Sequence, residues 1–288
     1  MKLLNRSTCA IVLGVKIVTQ DNTGKKSPGV DGETAPTPAR RVRLVKRLLD
    51  LAQKGWDDYR AKPLKRRLIP KPNGKKRPLS IPTIEDRAVQ ATIKLALEPF
   101  YEAKFEPNSY GFRPAMSAHD AIEAVFKQIS RKQKWALDAD IKGCFDNISH
   151  SAVMRSIPYE YRGLVSEWLK AGYVEEHKVF PTYEGTPQGG VISPLLANIV
   201  LDGMERDLKE SAKTWQFVED KSLPEPIDLA KKWHWKIGNG TLGREKSKTV
   251  ALIGYAGDFV ILHEDRRVIE YAKDWIENWL SLRGLTLS

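Results

Sequence analysis

The sequence predicts an α+β fold assembled from antiparallel hairpins and separate helices, and three observations lead there. Residues 66–71 and 77–82 are extended runs joined by Pro72-Asn73-Gly74, and Asn-Gly between two such runs is a strong hairpin signal. Residues 250–254 and 259–262 are apolar runs joined by Tyr255-Ala256-Gly257-Asp258, a tight turn that carries an acid. Apolar residues at helical spacing, each series preceded by a capping residue, lie between and after these hairpins. Strands and helices do not alternate regularly, which argues against a doubly wound parallel sheet.

The elements follow in order. Cys9-Ala10-Ile11-Val12-Leu13-Gly14-Val15 is a short apolar piece, helix or strand, closed by Lys16. It is too short to span a membrane and lacks the small-residue cleavage pattern of a signal peptide. Residues 19–38, rich in Gly, Pro, Thr, Asp and Asn, read as a loop. Residues 40–60 read as a helix whose Leu44, Leu48, Leu49, Leu51 and Trp56 interrupt a basic run. The first hairpin follows, with Lys71, Lys75, Lys76 and Arg77 at or near its tip. Thr83, with Asp86 three residues on, predicts a helix start, and Val89, Ile93, Leu97 and Phe100 form its buried face. Ser117 opens another helix with Ala121, Val125 and Ile129 on one side. Residues 135–141 read as a strand with an acid at its end. Ser193 is read as an N-cap with Pro194 in the first turn, and the helix carries Leu195, Ile199 and Leu208. Residues 210–248 break the rhythm and read as an irregular insertion. Asp265 opens the last helix, with Val268, Ala272, Trp275 and Trp279 inward and Gly284 ending it.

A chain of 288 residues with 41% apolar composition can bury a sizeable core as one large or two small domains. Cys9 and Cys144 provide neither a disulfide framework nor a CxxC metal site, so a reducing, cytoplasmic setting is expected. No run approaches a membrane span, and His119, His150, His177, His234 and His263 show no metal-ligand spacing. The formal charge is +11, but between Arg40 and Arg77 there are 15 Lys/Arg against 3 Asp/Glu. That window carries +12 and leaves −1 over the remaining 250 residues. A concentrated basic segment on a near-neutral body reads as a polyanion-binding face, with a solvated charge run as the plainer reading. The apolar residues interleaved with it imply a packed element and favour nucleic acid.

Asp140 ends one strand and Asp258 lies on a separate hairpin turn. Acids from distant segments that converge in this way can hold a hard, oxygen-loving cation such as Mg²⁺, although each acid alone reads more readily as a strand-end cap.

Six segments together resemble the finger and palm blocks of group II intron-encoded reverse transcriptases, or maturases. They are Ile69-Pro70-Lys71-Pro72 through Arg77-Pro78-Leu79-Ser80-Ile81-Pro82, Asn108-Ser109-Tyr110-Gly111-Phe112-Arg113-Pro114, and Asp140-Ile141-Lys142-Gly143-Cys144-Phe145-Asp146-Asn147-Ile148. Gly185-Thr186-Pro187-Gln188-Gly189-Gly190-Val191-Ile192-Ser193-Pro194, the 255–258 turn and Gly284-Leu285-Thr286-Leu287-Ser288 complete the set, in the family's order. The resemblance implies right-hand polymerase architecture with an RRM-like antiparallel palm sheet. Residues 1–38 would be an N-terminal extension and loop, 39–134 the fingers, and 135–288 an incomplete palm, with the thumb absent.

It also implies site roles. Asp140, the Ile141 carbonyl and Asp258 would hold metal, two Mg²⁺ ions being expected in the family. Lys71, Arg77, Phe145 and Gln188 would bind dNTP, with Phe145 as a ring under the sugar that excludes a 2′-hydroxyl. Lys65, Arg66, Arg67, Lys75, Lys76 and Arg113 would contact RNA. Plainer readings are a core aromatic for Phe145, nonspecific phosphate contact for Lys71 and Arg77, and a structural role for Asn108, Ser109 and Arg113. The implied partners are group II intron RNA, an RNA template with DNA primer, and dNTP, with no membrane.

The family turn reads Tyr-x-Asp-Asp, and Gly257 stands where the first of these acids is expected. Loss of one ligand predicts RNA-directed DNA polymerase activity reduced by orders of magnitude or abolished. Asp138, on the same strand face as Asp140, is a conceivable replacement. The alternatives are an RNA-binding maturase without polymerase activity, a truncated gene remnant, and a reverse transcriptase of another lineage such as a CRISPR-associated one.

Overall fold

The computed structural model describes residues 6–70, 74, 76–130, 132–215 and 250–288. Helix α1 (Thr8–Lys16) continues into a π turn and a 3₁₀ turn, so part of the expected 19–38 loop is helical. Helix α2 (Pro38–Gln53) is capped by Thr37, whose hydroxyl accepts from the Arg40 amide. It stops seven residues short of the expected 60, at a turn where Trp56 takes a φ of +70° and enters the core.

The first hairpin is β1 (Leu64–Pro70) with β2 (Lys76–Ile81), in register from Lys65 opposite Ile81 to Pro70 opposite Lys76. Its tip at Lys71, Pro72, Asn73 and Lys75 lies outside the described residues. Helix α3 (Ile84–Glu102) starts where Thr83 predicts it, with the Thr83 hydroxyl accepting from the Asp86 amide. More than one face of it is buried, because Asp86, Arg87, Gln90 and Thr92 are enclosed along with Val89, Ile93 and Leu97.

Ser117 and Asp120 form a reciprocal capping box ahead of α4 (Ala118–Ile129). There the expected inward stripe is only partly correct. Ala121 is buried, but Ile129 is exposed, as are Ile122 and Phe126.

Next come β3 (Trp135–Asp140) and the helices α5 (Cys144–Asn147), α6 (His150–Ser156) and α7 (Tyr159–Lys170). A second small hairpin, β4 (Tyr173–Glu175) with β5 (Lys178–Phe180), joins β1 through parallel β1–β4 pairing. The single helix expected from Ser193 to Leu208 is two, α8 (Ser193–Leu201) and α9 (Met204–Ala212). Gly203, at φ +94°, turns the chain between them. Ile192 rather than Ser193 occupies the cap position of α8. The expected insertion at 210–248 begins later, since α9 runs through Ala212, and residues 216–249 lie outside the described residues.

The second long hairpin, β6 (Ala251–Tyr255) with β7 (Asp258–His263), and helix α10 (Arg266–Ser281) complete the chain. Asp265 caps α10 as expected, accepting from the Arg267 amide. The two sheets run β2-β1-β4-β5 and β3-β7-β6. In the second, Phe259 and Ile261 enter the main core, while Val260 and Leu262 pack with Ala121 and Val125 of α4. This alternation places helices on both faces, with the turn of the hairpin at one end of the sheet beside the end of β3. Among the described residues no helix is long and apolar enough to cross a membrane.

A buried polar network ties the segment ahead of β1 to helices α3 and α7. The Tyr59 hydroxyl donates to Asp86 Oδ1 at 2.6 Å and accepts from Trp168 Nε1 at 2.8 Å. The Thr83 hydroxyl donates to Asp86 Oδ2 at 2.6 Å. Burial raises the Asp86 carboxyl above its usual range, and these donors pull it back only in part.

Candidate active site

Tyr255 and Asp258 pair across the β6–β7 hairpin, leaving Ala256 and Gly257 as its two turn residues. Ala256 takes the left-handed conformation, φ +59°, whereas Gly257 lies outside that region. The glycine therefore stands where the backbone does not require one, and the alanine stands where it would help.

Antiparallel pairing of β3 with β7 puts Asp140 directly opposite Asp258, and Asp138 opposite Val260. Asp138 and Asp140 thus share a strand face. Partial burial first, then the neighbouring Asp140 and Asp138 charges, raise the Asp258 carboxyl above its usual range. The Ile141 amide donates to the Gly257 carbonyl at 2.9 Å, which fixes the end of β3 against the turn. A Cβ placed on Gly257 would lie 3.7 Å from Asp140 Oδ1, 4.0 Å from the Ile141 carbonyl oxygen and 3.5 Å from Cys144 Cβ. All three are ordinary contacts, so a side chain at 257 has room and would project beside Asp140. The donors present are two carboxylates and a carbonyl. Among the described residues no group of three or more His, Cys, Asp or Glu side chains is arranged to hold a metal ion. This donor set does not make up a two-ion site.

The segment that begins at Asn108 clamps the turn from behind. The Tyr110 amide donates to the Gly254 carbonyl at 2.9 Å, and the Gly254 amide to the Asn108 carbonyl at 2.8 Å. A Cβ on Gly111 would meet the Ala256 nitrogen at 2.3 Å, so only glycine permits this approach. Asn198 Nδ2 donates to the Gly111 carbonyl at 2.8 Å from α8. Arg113, expected on the RNA side, is interior instead. Its guanidinium pairs with Glu102 at 2.9 Å and donates to the Glu106 and Ser109 carbonyls at 2.8 and 2.7 Å. At 8% exposure it is buried and holds this segment together.

Beside the acids, Phe145 is half-buried on the short helix α5, and its ring meets that of Phe112 edge-on at 5.8 Å. Gln188 links two elements: Arg77 Nε donates to its Oε1 at 2.9 Å, and its Nε2 donates to Asp146 Oδ2 at 2.8 Å. The Ser80 amide donates to the Gln188 carbonyl at 2.7 Å, so β2 and the Pro187-Gln188-Gly189-Gly190 turn are in direct contact. Arg77, Gln188 and the segment of Phe145 are therefore brought together. Lys71 and Lys75 lie outside the described residues, and Lys76 is exposed.

The basic triplet Lys65, Arg66 and Arg67 is divided between the two faces of β1. Strand alternation sends Lys65 and Arg67 to one face of β1 and Arg66 to the other. There the Arg66 guanidinium stacks over Tyr173 at 4.0 Å. Gly111, Phe112 and Asp146 carry no role that the sequence alone signals. Their contacts join segments far apart in sequence, which no local pattern shows.

Residues 69–288 match the family model described as reverse transcriptase (RNA-dependent DNA polymerase), and residues 1–48 match the N-terminal domain of reverse transcriptase. The chain belongs to the reverse transcriptase family. As a reverse transcriptase it is 33% identical to Protein YkfC of Escherichia coli (strain K12) over 85% of this chain and 65% of that protein. It is 38% identical to the group II intron-encoded protein LtrA of Lactococcus lactis subsp. cremoris over 64% of this chain and 31% of LtrA. A 91 kDa protein in the cob intron of Schizosaccharomyces pombe is 30% identical over 76% of this chain and 28% of its own length. This reverse transcriptase thus spans about two thirds of YkfC and about a third of the other two.

Proposed function

We propose that this chain is a group II intron reverse transcriptase of the maturase type that retains RNA binding while its nucleotidyl transfer is strongly impaired. The intron-encoded relatives support the lineage. The observation that carries the impairment is Gly257, whose Cβ position points at Asp140 and the Ile141 carbonyl without any backbone need for glycine.

Two Mg²⁺ ions, where bound in such an enzyme, stabilise the attacking and leaving oxygens of phosphoryl transfer. Asp140, the Ile141 carbonyl and Asp258 are the donors this chain offers, one carboxylate short. Removing one preorganised charge partner costs several kcal/mol in the transition state, and about 1.4 kcal/mol is tenfold in rate. In this reading Arg77, with Lys71, takes the incoming triphosphate, Gln188 lines the nucleotide site, and Phe145 lies under the sugar. Lys65, Arg67, Lys75 and Lys76, with the exposed α2 cations Arg40, Arg43, Lys46 and Arg47, contact phosphates.

The test is primer extension on an RNA template with Mg²⁺, comparing the chain with Gly257→Asp. Synthesis that rises by orders of magnitude in the variant supports the reading. Equal, robust synthesis in both would refute it. The exposed basic face favours a second reading, an RNA-binding maturase without polymerase. That reading expects no synthesis in the unsubstituted chain, with intron RNA affinity that falls steeply with salt and on neutralising Lys65 and Arg67.

A further inference from the structure

We infer that Phe112 is a positioning residue for nucleotide sugar selection, acting by fixing the ring of Phe145. The inference rests on the reading of Phe145 as the group under the sugar.

Phe112 has a φ of +60°, a conformation that bulky L residues avoid. Such strain persists only where the surroundings impose it, and it clusters at functional sites. Burial of the ring does not account for it, because Phe112 remains 50% exposed. What the conformation achieves is a ring placement. The Phe112 ring meets Phe145 at 5.8 Å with an interplanar angle of 71°, the edge-to-face arrangement that aromatic quadrupoles favour.

Both neighbours hold this placement. Gly111 is pressed against Ala256 of the hairpin turn and held by Asn198. Arg113 is buried in its ion pair with Glu102. Phe145, by contrast, lies on a helix of four residues and is half-buried. Its backbone is secured through the Thr186 amide, which donates to the Phe145 carbonyl at 2.6 Å. Its ring needs a lateral support, and Phe112 supplies one that is referenced to the catalytic turn through Gly111. A half-exposed aromatic could alternatively stack on a template base. That role would leave sugar preference untouched, so the two are separable.

The experiment measures displacement of a fluorescent dATP analogue by dATP and by ATP from a complex with RNA template and chain-terminated DNA primer. It is run on the full chain and on its Gly257→Asp variant, and far-UV circular dichroism checks the fold of each protein. The unsubstituted ring should prefer dATP, and Phe112→Ala should narrow that preference by roughly tenfold. Affinity for dATP should change by less than about twofold, and Phe112→Tyr should keep the preference. Phe145→Ala is the reference and should abolish it. If Phe145→Ala leaves the preference intact, the sugar-contact reading of Phe145 falls. If Phe145→Ala abolishes it while Phe112→Ala and Phe112→Leu leave it intact, the present inference is overturned, as it is if Phe112→Ala weakens only template binding. Absence of any displacement in both chains overturns both readings.

Discussion

Asp140 and Asp258 face one another as register partners on adjacent antiparallel strands, with Asp138 one strand repeat away on the same side. Partial burial, and then the like charge directly opposite, raise the Asp258 carboxyl above its usual range. The carboxylate form is therefore penalised in the folded chain relative to the unfolded one. The penalty is complete above the folded-state pKa and vanishes below the unfolded value near 3.8. Asp258→Asn should raise the thermal midpoint at pH 7, and the increment should shrink to nothing as pH falls towards 3.8. Scanning calorimetry of both proteins across pH 3.5 to 7.5 checks this; an increment that grows on acidification would contradict it.

Gly257→Ala should be tolerated. The new Cβ meets Cys144 at 3.5 Å and Asp140 at 3.7 Å, and the backbone lies outside the left-handed region. Restricting the unfolded chain should then stabilise by about 0.5 kcal/mol. Urea unfolding measures it, and primer extension with the same protein should show no recovery, because alanine supplies no ligand. Recovery with alanine would mean that stiffness of the turn, and not a missing carboxylate, limits synthesis.

Gly111→Ala should be among the most damaging small substitutions in the chain. Its methyl group would overlap the Ala256 backbone, which cannot yield like the end of a flexible side chain. A loss of about 3 kcal/mol is expected from forced backbone displacement. Amide hydrogen exchange should show faster exchange at Gly254 and Tyr110, the amides that clamp the turn. Unchanged exchange there would show that the close approach is not a constraint.

Tyr59→Phe removes one hydroxyl that serves two partners. Asp86 loses a donor and Trp168 loses an acceptor, both inside the protein. Leaving buried polar groups unmatched costs about 1–3 kcal/mol. The urea midpoint should fall without a change in the denaturant dependence of the unfolding free energy.

Local chemistry made much of this fold legible. Thr83, Ser117 and Asp265 cap helices where their side chains predict them, because a cap needs only its own next three residues. Both long hairpins follow from turn chemistry between extended runs. Signals that depend on distant segments did not transfer. Leu208 reads as part of the same helix as Ile199, yet Gly203 turns the chain between them and α9 packs on its own terms. Ile129 keeps the helical period of Ala121 but faces solvent, since α4 presents only a narrow strip to the sheet. In the candidate site the two acids and the empty position were readable from a short motif. The clamp at Gly111, the interior ion pair of Arg113 and the division of Arg66 from Lys65 and Arg67 arise from pairing across the fold.

The unfilled space at residue 257 also bears on the history of the gene. Glycine and aspartate codons differ at the middle base, so a glycine codon that ends in a pyrimidine becomes an aspartate codon by one transition. No second substitution would be needed to make room, since the neighbours of that Cβ are at ordinary distances and the backbone accepts any L residue. If the proposed loss of synthesis at Gly257 holds, it differs from a change that lets the surroundings collapse into the gap. On that reading one base restores the ligand, and a selection for reverse-transcribed product should recover aspartate at this codon.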